Sequence, residues 1–214
     1  MKTTNKMTSS SATFVAFAFL TYNAGAVVIA ITNPSFEDPF IATQETGVIG
    51  ASGWIISGSG SGGIFRTTLT SPNATDGLNV AFSSRVNFSQ TLTTTLEPST
   101  NYILRVDVGD RPGLLFPGYQ VRLFAGAILL SEDDNSLAPN SGFLTSSVTF
   151  TSPSGGPAIG NFLRIELNNP GITSGPQIFW DNVRLETTAV PESSTALLAA
   201  GAIAALAGLR RRNQ

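Results

Sequence analysis

The chain has 214 residues and a formal net charge of −2, and its charged residues make up 12%, against about 25% in typical globular domains. It contains neither cysteine nor histidine, which excludes disulfide bonds, Cys/His zinc sites and every mechanism that needs an imidazole or a thiol nucleophile. Residues 27–189 carry seven arginines, no lysine and thirteen acidic residues, a net charge of −6 that excludes a basic nucleic-acid interface.

Residues 1–26 have the features of a secretory signal peptide. Two lysines give a positive start, and the uncharged apolar run 12–20 follows them. Ala24 and Ala26 fit the small-residue cleavage pattern, so we expect cleavage after Ala26. The alternative is an uncleaved membrane anchor, but the apolar run is too short to span about 30 Å of hydrocarbon.

The middle of the chain, residues 27–189, shows the patterns of short strands. Apolar and polar residues alternate in segments that Gly, Pro, Asn or Ser clusters separate, and no window of helical length carries a helical stripe. The strand candidates are 79–82, 102–108, 119–124, 147–150, 162–167 and 178–185. This pattern predicts one all-β domain, an antiparallel β-sandwich, in which the glycine-rich segment 57–63 is a loop.

Several fragments of this region, in their order along the chain, resemble the galactose-binding-like jelly rolls of many carbohydrate-binding modules. They include an opening Asn-x-x-Phe-Glu, a Gly-Trp pair, an Asp-Gly turn and a closing Asp-Asn-Val strand. The matching segments are 33–37, 53–54, 76–77, 87–102 and 179–185. The resemblance spans nearly all of residues 31–186 and implies a jelly-roll sandwich.

The same resemblance implies a structural Ca²⁺ ion where the first and last strands meet. The residues carried over are Glu37 and Asp181, with Asp76 as a third candidate. Carboxylate oxygens are the hard ligands that Ca²⁺ prefers. The alternative is that Glu37 and Asp181 only accept hydrogen bonds from the amides of turns.

Exposed aromatic residues would suit a polysaccharide, because flat rings stack on the apolar faces of sugars. Phe116 and Tyr119 lie in a Pro/Gly-rich segment, and Trp54 is a further candidate, although it fits the core of a sandwich equally well. The acidic group 132–135 is expected at a solvated hairpin tip. Asp107 and its neighbours in the alternating strand are expected on a solvent-facing side.

Residues 190–214 combine a short motif, an apolar stretch and a basic end. The motif 190–194 contains Val190, Pro191 and Glu192. The uncharged stretch 195–209 has the length of a short membrane helix, and the basic stub 210–214 is expected to stay in the cytoplasm. The residues that carry the charge of the stub are Arg210, Arg211 and Arg212.

This order of features resembles the PEP-CTERM sorting signal, which has a Pro-Glu-Pro motif, a membrane helix and a terminal basic cluster. The chain departs from that pattern at Ser193, where the family has a second proline. The resemblance implies an exosortase as partner, a membrane transpeptidase that processes the chain near Pro191 and Glu192. An ordinary C-terminal anchor is the alternative.

Together these features predict an exported, non-catalytic protein that is anchored transiently in the inner membrane and then placed at the cell surface or in the extracellular matrix. The expected ligand is polysaccharide, as in a biofilm, and the expected cofactor is structural Ca²⁺. A structural or adhesive surface protein without glycan binding is the first alternative. A carbohydrate-active enzyme is the second, and it would need two carboxylates about 5–10 Å apart in one cleft.

Overall fold

The computed structural model describes residues 25–44, 46–68, 72–172 and 175–190. These residues form ten β-strands and no helix. The strands are β1 (Val27–Ile29), β2 (Gly47–Ile49), β3 (Ile55–Arg66), β4 (Asn79–Thr95), β5 (Thr100–Asp110), β6 (Gln120–Ala125), β7 (Ile128–Asp134), β8 (Phe143–Thr151), β9 (Phe162–Asn168) and β10 (Ile178–Ala189). The prediction of an all-β domain is therefore confirmed.

The strands pair in the order β7-β6-β9-β4-β10-β5-β8, with β3 beside β4, β2 beside β3 and β1 beside β10. Every pair of neighbouring strands is antiparallel. Strand β4 belongs to two layers, because residues 81–83 pair with β10 whereas residues 87–95 pair with β9. The change occurs at Arg85, whose positive φ of 56° marks an irregularity in the strand.

The curled sheet closes almost completely, since β7 at one end of the order comes close to β8 at the other. Ser146 of β8 donates a hydrogen bond to Asp133 of β7. Strand β5 shows how the interior is filled: Tyr102, Leu104 and Val106 point inward and are buried, while the residues between them face outward. The enclosed core also takes in Trp180 of β10.

Two local predictions are wrong. Residues 57–63 belong to β3 instead of a loop, because their glycines let neighbouring backbones approach closely. A Cβ atom at Gly60 would lie 1.7 Å from the carbonyl oxygen of Ser84, and one at Gly63 would lie 1.9 Å from that of Val48. The acidic group 132–135 is not a hairpin tip, because its first three residues lie in β7; Asp133 is buried and hydrogen-bonded, whereas Glu132, Asp134 and Asn135 are exposed.

The predicted targeting features fall mostly outside the described residues. Ala24, Pro191 and Glu192 lie there, and so does the whole basic cluster, whereas Ala26 and Val190 stand at the two ends of the described chain. In the part of the chain that the structure describes, no helix is long and apolar enough to cross a membrane. The members of the basic cluster are Arg210, Arg211 and Arg212.

Candidate active site

Two rows of residues cross the outer face of the layer that β2, β3, β4, β10, β5 and β8 form. Residues that are paired across neighbouring antiparallel strands point to the same face of a sheet. The first row, which we call the aromatic row, consists of Ile49, Gly63, Phe82, Phe179, Gly109 and Phe143. The second, the acid row, consists of Gly47, Phe65, Val80, Asp181, Asp107 and Thr145, in which Val80 and Asp181 adjoin the last β4–β10 pair, Ala81 and Trp180.

Aromatic side chains form a cluster on this face that is separate from the main core. Phe65 and Phe179 are buried, and their rings stack with centroids 5.7 Å apart. Phe82 and Phe143 pack against this cluster and are only partly buried. The ring of Phe143 lies over Gly109, where a Cβ atom would come within 2.5 Å of it. Phe65 and Phe179 thus form the buried base of this face, and the partly buried Phe82 and Phe143 are where a flat ring could make contact.

Asp181 lies in the acid row next to Phe179 and is completely buried. Its Oδ2 accepts hydrogen bonds from the backbone nitrogens of Thr75 (2.6 Å) and Asp76 (2.9 Å), and Oδ1 accepts one from Asn182 (2.7 Å). Burial raises the pKa of Asp181 to about 7, because the loss of solvent outweighs these hydrogen bonds. This carboxyl group can therefore hold or release a proton near neutral pH.

Asp107 faces Asp181 across the β5–β10 pair, and it is buried instead of solvated as predicted. Its carboxylate accepts hydrogen bonds from Thr145 (2.7 Å) and Asn182 (3.0 Å), and it forms an ion pair with Arg184 (3.2 Å). In the described part of the chain, no arginine lies within ion-pair distance of Asp181. The two acids of the row thus have different environments.

The carboxylates predicted to bind calcium gather around the turn at residues 75–79. Glu37 Oε1 accepts hydrogen bonds from the backbone nitrogens of Leu78 (2.8 Å) and Asn79 (2.7 Å). Asp76 Oδ2 accepts one from the hydroxyl of Ser35. The carboxylates of Glu37 and Asp76, like that of Asp181, therefore already accept hydrogen bonds within the protein, which leaves fewer of their lone pairs for a metal ion.

The fit of this turn to a metal ion is mixed. Within the described ranges, no group of three or more acidic side chains is arranged to hold a metal. The Oδ1 atom of Asn79, however, is buried without a hydrogen-bond partner, and its amide nitrogen lies 3.4 Å from Glu37 Oε2. Asn79 Oδ1 and Glu37 Oε2 are thus two oxygen atoms beside the turn that could bind an ion. Calcium binding by Glu37, Asp76 and Asp181 stays a prediction.

The residues predicted to bind polysaccharide do not form an exposed aromatic surface. Tyr119 is completely buried, and its hydroxyl donates to Asp133 (2.7 Å). Trp54 is buried against Phe36 with ring centroids 5.3 Å apart. Phe116 is partly buried and packs against Tyr119.

Comparison with known proteins identifies the family of this chain. The model of the HpiC1-like family, described as HpiC1 cyclase, matches residues 27–186. The chain belongs to the HpiC1-like cyclase family. No curated protein matches the sequence significantly.

Two solved cyclase structures from Fischerella sp. TAU support membership of the HpiC1-like family. A Stig cyclase, Fisc, in complex with (3Z)-3-(1-methyl-2-pyrrolidinylidene)-3H-indole is 31% identical; the match covers 77% of this chain and 100% of that chain, with a TM-score of 0.72. A cyclase in complex with 4-(1H-indol-3-yl)butan-2-one is 30% identical over 78% of this chain and 100% of that chain, with a TM-score of 0.71.

Membership of a cyclase family overturns the predicted function. The predictions of a non-catalytic protein and of polysaccharide binding are wrong, and so are those of a structural or adhesive protein and of a carbohydrate-active enzyme. The absence of histidine and cysteine excluded imidazole and thiol chemistry, but a buried carboxyl group needs neither. The sequence did contain one indication of this site, because alternation within β10 places Asp181 on the same face as Phe179.

Proposed function

We propose that the protein is a cyclase for a small molecule that contains an indole or a similar flat ring. The aromatic row would hold the ring, and Asp181 would act as the general acid. The observation that carries this proposal is the position of a completely buried carboxyl group, with its pKa raised to about 7, directly beside Phe179. The indole compounds bound by the two Fischerella cyclases support the choice of ring.

The proposed chemistry is an acid-promoted ring closure. Asp181 donates its proton to the heteroatom of a carbon–nitrogen or carbon–oxygen double bond in the substrate, and the carbon of that bond becomes electrophilic. The π electrons of the aromatic ring form the new carbon–carbon bond while the π electrons of the carbon–heteroatom bond move onto the heteroatom, and the ring then loses a proton that returns to the carboxylate. The backbone nitrogen of Asn182, which does not belong to the covering turn, can stabilise the carboxylate between these two steps.

Access to Asp181 requires movement of the turn that covers it. The side chain lies beneath Thr75 and Asp76, so direct contact with substrate requires this turn to move aside. Opening would remove hydrogen bonds that favour the ionised form, and a substrate ring that takes the place of the turn would keep solvent, the larger influence on this pKa, away from Asp181. The partly exposed Phe82 and Phe143 mark the side from which a ring can enter.

The test is a comparison of the native protein with Asp181→Asn on a panel of 3-substituted indoles, in which chromatography detects the isomeric products. Removal of a general acid is expected to lower the rate by about 100-fold or more. Glu186→Gln is the matched control, because Glu186 lies on the same strand in an ion pair with Arg105 and should leave the rate within about twofold. Full activity in Asp181→Asn would refute the proposed role.

We propose calcium separately, as a structural ion at the turn of residues 75–79. Glu37 and the unpartnered Oδ1 of Asn79 would hold it, with Asp76 beside them; Asp181, the remaining residue of the predicted set, would not be a ligand, because a bound cation would keep the proposed general acid ionised. The ion would cross-link the start of the domain to this turn. Calcium is expected to raise the melting temperature of the EDTA-treated protein, and Glu37→Gln should remove that increase; an equal increase in both proteins would contradict this site.

We also propose that the sandwich is a jelly roll of the galactose-binding-like type, and that the two ends direct the chain to the envelope. The supporting observations are the order of fragments between residues 31 and 186 and the order of features at 1–26 and 190–214. Export by the leader would be followed by transient membrane anchoring and exosortase processing.

A further inference from the structure

Arg111 stands at the edge of the aromatic row, directly after β5. Its guanidinium lies 5.0 Å from the ring centroid of Phe65 and 5.9 Å from that of Phe179. One of its Nη1 hydrogens is donated to the side-chain oxygen of Gln177. Stacking on two rings and one hydrogen bond hold the cation in a defined place above the surface that would bind the substrate.

No carboxylate in the described part of the chain is paired with Arg111, in contrast to four other arginines. Those with a carboxylate partner are Arg105, Arg122, Arg164 and Arg184. A guanidinium group keeps its charge at all accessible pH values and offers five N–H donors, most of which have no partner here. Arg111 is therefore a cation whose position is fixed by contacts that do not neutralise it.

The two carboxylates of the strand that precedes Arg111 are directed elsewhere or already paired. Asp110 precedes Arg111 but is paired with Ile178, a residue of the main core, so it lies toward the opposite side of the layer from the aromatic row. Asp107 lies on the same face as the aromatic row, but it already forms an ion pair with Arg184. Within the described residues, no ion pair offsets the positive charge at the edge of the aromatic row.

We propose that Arg111 is a specificity-determining residue that binds a carboxylate group of the substrate. The substrate class is then an aromatic carboxylate, whose ring lies on the aromatic row and whose anionic group reaches its edge. A planar guanidinium matches the two oxygens of a carboxylate, with which it can form two parallel hydrogen bonds. The inference rests on the proposed function, because the aromatic row must first hold the ring.

Two matched probes separate the charge from the ring. The neutral probe is 4-(1H-indol-3-yl)butan-2-one, which one of the related cyclases binds. The anionic probe is 3-(1H-indol-3-yl)propanoate, in which a carboxylate oxygen replaces the terminal methyl group. Calorimetry with the full chain at pH 7.5 and low salt measures both affinities.

The native protein is expected to bind the anionic probe about tenfold more tightly than the neutral one, and added salt should reduce this preference. Arg111→Gln should abolish the preference and leave the affinity for the neutral probe within about twofold. Arg111→Lys keeps the charge and should retain part of the preference. Arg105→Gln, whose guanidinium pairs with Glu186, is the control and should change neither affinity.

The outcomes distinguish this inference from the proposed function. Binding of both probes with equal affinity, or an equal loss of both in Arg111→Gln, would overturn the role of Arg111 and leave an indole site in place. Failure of the native protein to bind either probe would overturn the proposed function, and with it the inference.

Discussion

At the scale of single residues, the candidate site depends on one carboxyl group, that of Asp181, whose burial raises its pKa to about 7. Asp181 and Asp107 face each other across two strands, yet only Asp107 has a cationic partner. The same residue type thus has two different environments on one face of the sheet. Enzymes commonly separate acidic roles in this way, through differences in burial and in neighbouring charge.

The first prediction concerns the pH dependence of the rate. A general acid must be protonated, so the rate of the EDTA-treated protein should be constant below the pKa of Asp181, at about 7, and fall as the pH rises above it. A pH–rate profile measures this. A profile that stays flat from pH 6 to about pH 9 would be incompatible with the proposed role.

The second prediction concerns stability. The pKa of Asp181 rises from an ordinary 3.8 to about 7 on folding, so its contribution is fully present below pH 3.8 and is lost as the pH rises through 7. The loss is on the order of 4 kcal/mol. Urea denaturation of the native protein and Asp181→Asn across this window measures it. The free energy of unfolding of Asp181→Asn should lack this decrease with pH. An identical pH dependence of the free energy of unfolding in both proteins would contradict the raised pKa.

At the scale of the strands, a glycine in β5 makes room for an aromatic side chain from β8. The ring of Phe143 lies over Gly109, although the two belong to different strands. No positive φ is required at Gly109, so its role is to leave space. This space places Phe143 against the rest of the aromatic cluster.

The third prediction tests this placement with Gly109→Ala. The new methyl group would displace the partly buried ring of Phe143, which should weaken binding of 4-(1H-indol-3-yl)butan-2-one by about fivefold while stability changes by less than about 1 kcal/mol. Calorimetry and thermal denaturation measure the two effects. Gly142→Ala is the control, because a Cβ atom there meets nothing within 4 Å. Equal affinities in the two variants would exclude Phe143 from the site.

The near-closure of the sheet depends on a buried polar group. Asp133 of β7 accepts hydrogen bonds from Tyr119 and from Ser146 of β8. Burial raises the pKa of Asp133, but hydrogen bonds from Ser146, Tyr119 and Ser136 outweigh it, so the pKa lies below its ordinary value. The ionised form is thus held by donors from both ends of the curled sheet.

The fourth prediction is that Tyr119→Phe lowers the free energy of unfolding by about 1–3 kcal/mol, because Asp133 loses a donor in a buried place. Urea denaturation gives the value. Tyr102→Phe is the comparison, since that hydroxyl accepts only one backbone hydrogen bond, from Glu97, and its loss should cost less. A larger decrease in the free energy of unfolding for Tyr102→Phe would contradict the importance of the Asp133 hydrogen bonds between β7 and β8.

At the scale of the whole molecule, the fifth prediction concerns the two ends. Expression in a bacterial host that has an exosortase should yield a chain that begins at Val27, after cleavage following Ala26, and that has lost its tail near Pro191 and Glu192. Mass spectrometry of the cell-surface fraction identifies both ends. Pro191→Ala is the matched variant and should keep the tail. A full-length chain in the cytoplasm would contradict the proposal.

The fold class follows from local sequence, because alternation of apolar and polar residues is a property of each strand by itself. The segments 102–108, 119–124, 162–167 and 178–185 indeed lie largely in β5, β6, β9 and β10. Segment 57–63 could not be placed in this way, since its glycines join a sheet only through the backbones that approach them.

The sequence by itself determined the all-β class, the chemistry that a chain without cysteine and histidine cannot perform, and the candidate targeting segments at its ends. Only the tertiary structure decided which side chains share a surface. Phe65, Phe143 and Asp181 are far apart in the chain and meet through strand register, whereas Tyr119 and Trp54 are taken into the core. Burial of a side chain and pairing of strands depend on residues that are distant in the chain. They decide whether an acidic residue is a solvated charge or a proton donor.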